Sequence, residues 1–254
     1  IAEDRRRYCH HCTNKKKINI YYDTHDAEEI SIENLKKHDV YFKRSYSEKY
    51  KDNFCQERKN DIYPLGLNYL VMPNRFNRSS FYRQFSLSKT SKEKISAIMH
   101  SFDINNKIRF YPKLKDMHRA PKGYQKIKIL FMATAWDPYN NPDRSKEKIE
   151  ERIYINEMRA NCIRLLRKEF GNNFYGGLMH NEFTIKMYKD ALLENKNNAL
   201  KKNYINILNE FPICVATMGL HGSIGGKFAE YVAFSKGILS EKMNFQLPGN
   251  LEKD

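Results

Sequence analysis

Glycine is scarce in this sequence, and the few glycines are unevenly placed. Only 11 of the 254 residues are glycine, yet four of them, at 219, 222, 225 and 226, fall within eight residues. Glycine allows backbone conformations and close approaches that other residues do not. The segment "GLHGSIGGKFAEYVAFSKGILSE" (219–241) is therefore the first place to look for a function.

Other absences exclude whole classes of protein. The sequence has no run of about 18 apolar residues, so it predicts no membrane-spanning helix. It begins with Ile1 rather than Met and shows no signal-peptide pattern, and we expect a fragment of a longer protein. A hydrophobic content of 41%, with 17 Tyr and 15 Phe, excludes a wholly disordered chain.

Cysteine is also sparse, with five residues. "CHHC" at 9–12 has the spacing of a zinc knuckle or a redox pair, but there is no second C-x-x-C to complete four zinc ligands. The sequence therefore predicts no metal site. Cys162 and Cys214 lie in apolar patterns typical of buried thiols, and the cysteine usage fits a reducing cytosol.

The charge is strongly basic and unevenly distributed. The net charge is +15, of which residues 1–122 carry +11 and residues 123–254 carry +4. Such an excess favours a polyanionic partner: nucleic acid, anionic lipid or a phosphorylated ligand. A compositional bias of the genome explains the same numbers equally well.

The second half of the chain has the alternating pattern of a parallel α/β sheet. Strands are predicted at 127–134, 173–178, 213–220 and the "GILSE" segment; helices at 146–170, 201–211 and 227–235. The first half predicts shorter strands at 18–22 and 38–46, an extended piece within 62–71 and a helix at 88–102. Residues 116–125, with Pro121 and Gly123, are the predicted linker between domains 1–122 and 123–254.

The glycine segment has the features of an anion site. In open parallel sheets, ligands bind where strands lead into helices, and the backbone N–H groups at Gly222 and Gly225, with the start of the next helix, can face a phosphate. Ser223 can cap that helix or donate its hydroxyl to a phosphate. Lys227 in the first helical turn is mildly unfavourable unless an anion lies there. Glu230, three residues on, can accept hydrogen bonds from ribose hydroxyls, or simply complement the helix dipole and pair with Lys227.

Two common nucleotide motifs are absent. The loop is neither a G-x-x-x-x-G-K-[ST] P-loop nor a G-x-G-x-x-G fingerprint. The pattern alone predicts an anion site without naming the anion.

The segment "GSIGGKFAEYVAFSKGILSE" resembles the donor site of GT-B glycosyltransferases of the bacterial surface-polysaccharide type, with its Lys-x-x-Glu-Tyr-x-Ala run at 227–233. "KILFMATAWDP" and "NEMRANCIRLLRKEFGNNFYGGL" resemble earlier segments of the same domain, so the likeness covers about residues 126–249. It implies an α/β, GT-B-like fold of two Rossmann-like domains with parallel sheets, both incomplete: an N-terminal acceptor-side domain (1–122) and a C-terminal nucleotide-sugar domain (123–254). Many retaining members carry a Glu at the position of Gly222, so the stereochemical class stays open.

The resemblance also implies roles for individual residues. Glu230 would hold the ribose; Gly222, Ser223, Gly225 and Lys227, with the strand-end residues Ala133 and Thr134, would bind the diphosphate. Such enzymes neutralise the leaving diphosphate with backbone dipoles and basic side chains, so no cofactor or metal is expected. Lys43 and Arg44, after an N-terminal strand, are candidates for this neutralisation or are ordinary solvated residues.

An inverting enzyme also needs a general base for the acceptor hydroxyl. Asp23, His25 and Asp26, at the end of another strand, are the candidates, although strand ends carry polar residues for ordinary turn reasons as well.

The leading hypothesis is a nucleotide-sugar-dependent transferase that builds a cell-surface glycan or lipid-linked glycan. It would be cytoplasmic, in peripheral contact with the anionic inner face of the membrane. The alternative is a nucleic-acid-binding protein that uses the basic, Tyr-rich first half, but no recognisable nucleic-acid module occurs. A third possibility is another α/β nucleotide enzyme, such as a methyltransferase or a kinase, although a kinase is disfavoured by the missing P-loop.

Overall fold

The computed structural model describes residues 8–13, 16–54, 61–72, 82, 85–88, 90–101 and 112–249. These residues form two four-stranded sheets with helices packed on them. The predicted α/β class with parallel sheets is confirmed. The assignment to the GT-B fold stays a prediction.

The first sheet has the order β1-β2-β3-β4, with β1 antiparallel to β2 and the remaining pairs parallel. Its elements are β1 (Tyr8–Thr13), β2 (Lys16–Asp23), α1 (Ile32–Lys37), β3 (Val40–Lys43), α2 (Glu48–Phe54) and β4 (Ile62–Pro64). The antiparallel β1 contains "CHHC", which the sequence pattern did not identify as a strand. The side chains of that motif lie outside the described residues.

Aromatic residues build this sheet because they alternate along its strands. Tyr21 and Tyr41 point inward and are 4% and 0% exposed, with ring centroids 5.1 Å apart. Tyr22 and Phe42 stack on the opposite face at 5.5 Å. β2 and β3 thereby end in register, at Asp23 and Lys43.

Some described residues between the two sheets pack onto the second one. The chain between the sheets contains α3 (Ser91–Ser101), close to the helix predicted at 88–102, and the short α4 (Leu114–Met117). Leu67, Tyr69 and Val71, together with the fully buried Met117, pack into the core of the second sheet. The predicted linker 116–125 is tied to that sheet as well, since the Arg119 N–H donates to the Ala233 carbonyl at 2.9 Å.

The second sheet is wholly parallel, in the order β6-β5-β7-β8. Its elements are β5 (Ile129–Ala133), α5 (Lys146–Phe170), β6 (Phe174–Leu178), α6 (Glu182–Met187), α7 (Lys201–Glu210), β7 (Ile213–Ala216), α8 (Gly226–Ala233) and β8 (Gly237–Ser240). Every residue of β5 is buried, as its unbroken apolar run predicts for a central parallel strand. The predicted strands and helices of this half are confirmed to within a few residues.

The order of the strands defines a switch point. From β5 the chain moves outward to β6, then crosses back to β7 on the other side of β5. In open α/β sheets the crevice for ligands lies at the carboxyl ends of the two strands that flank such a reversal. Here those ends are Ala133 of β5 and Ala216 of β7.

Candidate functional site

A buried arginine occupies the switch point. Arg159 of α5 is 6% exposed, and its guanidinium donates to the Thr134 carbonyl at 2.6 Å, the Met218 carbonyl at 2.8 Å and the Thr217 hydroxyl at 2.9 Å. It therefore joins the loops after β5 and β7. No carboxylate of the described residues lies within ion-pair distance of it, and burial lowers the pKa of Arg159 to about 10, against the opposing attraction of Glu241.

The glycine loop (219–225) follows β7 and is closed on itself. The Gly219 N–H donates to the Ser223 carbonyl at 2.8 Å, and His221 and Gly222 both have positive φ, at 60° and 61°. A Cβ on Gly222 would come within 2.5 Å of the Asn244 amide nitrogen. The positive φ therefore favours glycine at 222, and a larger residue there would have to displace the Asn244 side chain.

The N-terminus of α8 is open toward this loop. Gly225 is its N-cap residue, and no side chain of the described residues caps it, so the first N–H groups of the helix remain available to a ligand. The prediction that Ser223 caps the helix is wrong, because Ser223 lies two residues before the N-cap. Ser223 is instead buried in the loop, at 2% exposure.

Lys227, in the first turn of α8, lacks an anionic partner. Its Nζ lies over the ring of Tyr204 at 4.0 Å from the centroid, and no described carboxylate lies within 4 Å of it. Burial lowers the pKa of Lys227 to about 8; the nearby Glu230 opposes this and Lys201 adds to it. A cation in this position gains from any phosphate that binds at the helix N-terminus.

Glu230 is buried but already paired. The residue is 7% exposed, and its carboxylate accepts a hydrogen bond from Lys201 of α7, rather than pairing with Lys227 as spacing on the helix suggested. Beside it, the hydroxyls of Tyr204 and Tyr231 are buried with no hydrogen-bond partner among the described residues. Glu230 thus belongs to a polar cluster with Lys201, Tyr204 and Tyr231.

In the first sheet, Asp23 and His25 form a hydrogen-bonded pair at the end of β2. The Nδ1 of His25 lies 2.8 Å from Asp23 Oδ1, with the aspartate side chain 3% exposed and the histidine side chain 70% exposed. Burial alone would raise the pKa of Asp23, but the charge of Lys43, the Tyr41 hydroxyl and the His25 N–H together hold it below its usual value. The buried, ionised Asp23 thus orients the His25 imidazole, which is itself largely exposed.

Lys43 and Arg44 point in different directions. Lys43 is 1% exposed and pairs with Asp23 Oδ2 at 3.0 Å, so its ammonium does not face the cleft where a phosphate would lie. Arg44 crosses to the other sheet: its Nη2 donates to the Ile224 carbonyl of the glycine loop at 3.0 Å, and its Nη1 pairs with Asp26.

The carboxyl ends of the two parallel sheets therefore face each other. Between them lies a cavity of about 420 Å³, lined on one side by the turn after β2 and on the other by the glycine loop and the segment after β8. The lining residues are Ala27, Glu28, Glu29, His221, Gly222, Asn244 and Phe245. Of the predicted site residues, Gly222 lines this cavity, while Asp26 and Ser223 are next to lining residues in the chain. Lys43 is buried away from the cleft, Ala133 is buried within β5, and the Thr134 carbonyl already accepts from Arg159.

Sequence reasoning missed Arg159 and Lys201. Arg159 lies four residues from Ile155 and four from Ile163 on the buried stripe of α5, and a charge at an apolar position is a signal that the sequence did contain. Lys201 has no such signal, because its pairing with Glu230 depends on how α7 packs against α8.

In the part of the chain that the structure describes, no group of three His, Cys, Asp or Glu side chains is arranged to hold a metal ion. Likewise, none of the described helices combines the length and apolarity needed to cross a membrane. No protein-family model, curated protein or solved structure matches this chain.

Proposed function

We propose that this protein is a glycosyltransferase that moves a sugar from a nucleotide-sugar to an acceptor hydroxyl. The observation that carries the proposal is that the carboxyl edges of two parallel sheets meet across one cavity. One side is lined by the glycine loop, which leads into the uncapped N-terminus of α8, and the other by the turn that follows the Asp23–His25 pair.

The donor diphosphate would bind at the start of α8. Anions are favoured at a helix N-terminus, where N–H groups point outward and the dipole is positive. Lys227 and Arg44 would supply positive charge, which stabilises the negative charge that develops on the diphosphate as it leaves. Glu230 would hold the ribose, in exchange for part of its contact with Lys201.

The Asp23–His25 pair would act on the acceptor. With Nδ1 held by Asp23, the imidazole would present Nε2 as the base, the arrangement by which a carboxylate orients a catalytic histidine. His25 Nε2 takes the proton of the acceptor hydroxyl while its oxygen bonds to the anomeric carbon. The bond from that carbon to the diphosphate oxygen breaks, and the nucleoside diphosphate leaves with its electron pair.

This chemistry favours an inverting displacement, because a base that activates the acceptor directly serves a single in-line step. The acceptor would be a glycan or a lipid-linked glycan at the cytoplasmic face of an anionic membrane, which gives the basic first half of the chain a role. No feature of the described residues favours the nucleic-acid alternative over this one.

The experiment is calorimetric titration with a panel of nucleoside diphosphates and nucleotide-sugars, using wild type, Lys227→Met and Lys236→Met. Lys236 is the matched control: its pKa is also lowered to about 8, mainly by burial, but its Nζ bonds Tyr124 beyond the opposite end of α8. We expect one nucleotide to bind saturably, and binding to weaken at least about tenfold in Lys227→Met only.

A folded sample that binds no nucleotide would overturn the proposal. So would equal weakening by both substitutions, which would show that the effect is one of stability rather than of contact with phosphate.

A further inference from the structure

A second cavity, of about 390 Å³, lies at the carboxyl ends of β5 and β6, and all of its lining belongs to the second sheet. Its lining residues are Thr134, Ala135, Trp136, Asp137, Asn140, Asn181, Glu182 and Phe183. None of the groups assigned above to donor phosphate binding or to the base, except the strand end at Thr134, contributes to it. We infer that this cavity is a binding site for a neutral saccharide.

The aromatic wall of the cavity is held rigidly. Trp136 is the single tryptophan of the chain, and Arg159 packs on its ring at 4.6 Å from the centroid. The fully buried Asn156 clamps its backbone from both sides, accepting from the Trp136 N–H at 3.0 Å and donating to its carbonyl at 2.7 Å. A wall fixed before the ligand arrives costs little entropy on binding.

The opposite wall is equally fixed. Asn181 caps α6 by accepting from the Thr184 N–H at 2.8 Å, and it donates to the Ala135 carbonyl at 3.0 Å. Phe183 packs edge-on against Tyr188 at 5.8 Å. Both walls of the cavity are therefore preorganised, and the groups that hold them are saturated with internal contacts.

Several polar groups around the cavity remain available to a ligand. The indole N–H of Trp136 and the carboxylate of Glu182 have no hydrogen-bond or ion-pair partner among the described residues. The Asn140 amide accepts from Arg144 at 2.7 Å through its oxygen and keeps its N–H groups. Asp137 accepts the Tyr139 N–H at 2.8 Å through one oxygen and keeps the other.

This combination selects the class of ligand. Donors and acceptors around an aromatic wall match a pyranose, whose hydroxyls form hydrogen bonds while its C–H face packs on the ring. The two carboxylates of the lining, Asp137 and Glu182, disfavour an acidic sugar, which would bring a further negative charge beside them. The ligand is therefore a neutral sugar, and the site stands whether or not the cleft binds a nucleotide-sugar.

Trp136 makes the test direct, because all tryptophan fluorescence of this chain comes from the proposed site. The probes are glucose, galactose, N-acetylglucosamine and their β1,4-linked disaccharides. We expect at least one to change the emission saturably, with the effect retained in saturating uridine or guanosine diphosphate. Glucuronic acid should bind at least about tenfold more weakly than glucose, since it brings a carboxylate toward Asp137 and Glu182.

Variants separate contact from folding. Glu182→Ala and Asn140→Ala should each weaken the fluorescence response about fivefold or more, as expected for losing one hydrogen bond to a ligand hydroxyl. Tyr154→Ala is the control, since Tyr154 is a largely exposed aromatic residue, at 67%, on α5 and outside the cavity lining. Calorimetry or ligand-observed NMR with Trp136→Phe and Trp136→Ala should show that a ring at this position is needed.

Three results would overturn the inference. One is unchanged emission up to roughly 100 mM of every neutral sugar, far above ordinary weak dissociation constants. Another is a response to nucleosides alone, which would assign the cavity to a nucleobase. The third is equal weakening by Tyr154→Ala, which would show that the response is not local to the cavity.

Discussion

Removing the charge of Asp23 should destabilise the protein strongly at neutral pH. The Asp23 and Lys43 side chains are 3% and 1% exposed and lie 3.0 Å apart. Asp23→Asn would leave the Lys43 ammonium buried without its counter-charge, and breaking a buried pair in this way costs about 3–5 kcal/mol. Lys43→Met should cost a similar amount, because it strands the carboxylate instead.

The double variant Asp23→Asn/Lys43→Met gives the sharper prediction. With both charges removed, no buried ion is left unpaired, so the double variant should be more stable than either single one and within about 2 kcal/mol of wild type. Urea unfolding at pH 7, followed by far-ultraviolet circular dichroism, measures all four proteins. Single variants within 1 kcal/mol of wild type, or two losses that simply add, would refute the reasoning.

Acid should remove the same stabilisation. The pKa of Asp23 in the folded protein is lowered, so its contribution is complete above the unfolded value of about 3.9 and is lost as the pH falls through the folded pKa. The free energy of unfolding of wild type should therefore fall more steeply below about pH 4 than that of the double variant.

Three further predictions concern the cleft and the sheet. His25→Asn should leave the urea midpoint unchanged, because the His25 side chain is 70% exposed, but it should lower the rate of sugar transfer by about 10²-fold or more. The control is His118→Asn, at another exposed histidine. An unaffected transfer rate in His25→Asn would remove His25 from the mechanism. Affinity for a nucleoside diphosphate should decline as the pH rises past about 8, where Lys227 loses its proton, and this decline should be absent in Lys227→Met; a slope that persists in the variant would refute the assignment. Gly176→Ala should lower the free energy of unfolding by about 3 kcal/mol or more, since a Cβ there would lie 1.9 Å from the Phe131 carbonyl oxygen. Gly123 has open space around it, so Gly123→Ala should be neutral or slightly stabilising in the same unfolding assay.

Periodicity in the sequence predicted the second sheet well, and there is a physical reason. Its strands are short apolar runs and its long helix, α5, has a regular buried stripe that ends at Gly171, so local pattern and tertiary packing agree. In the first sheet the predicted strands at 18–22 and 38–46 overlap β2 and β3. The edge strand β1 was missed there because its cysteines and histidines carry no alternation of apolar and polar residues.

The candidate site was predictable only where it is local in sequence. The glycine loop, Lys227 and the Asp23–His25 turn are visible as short motifs at strand ends. Arg44 reaching Ile224, across 180 residues of chain, depends on how the two sheets meet, and no spacing in the sequence encodes it. The pairing of Glu230 with Lys201 instead of Lys227 also depends on tertiary packing, in this case of α7 against α8.

The burial of Met117 in the second core has a consequence for how the chain can be divided. Met117, Leu67, Tyr69 and Val71 all precede the loop at 118–128 but pack against residues that follow it. A single protease cut after Lys122, where the chain is exposed, would cleave the backbone, but the two fragments would still share one hydrophobic core. We expect the two pieces to remain associated in native gel filtration and to part only in denaturant. Each piece expressed alone should be poorly soluble, and mixing them should restore a common folded species.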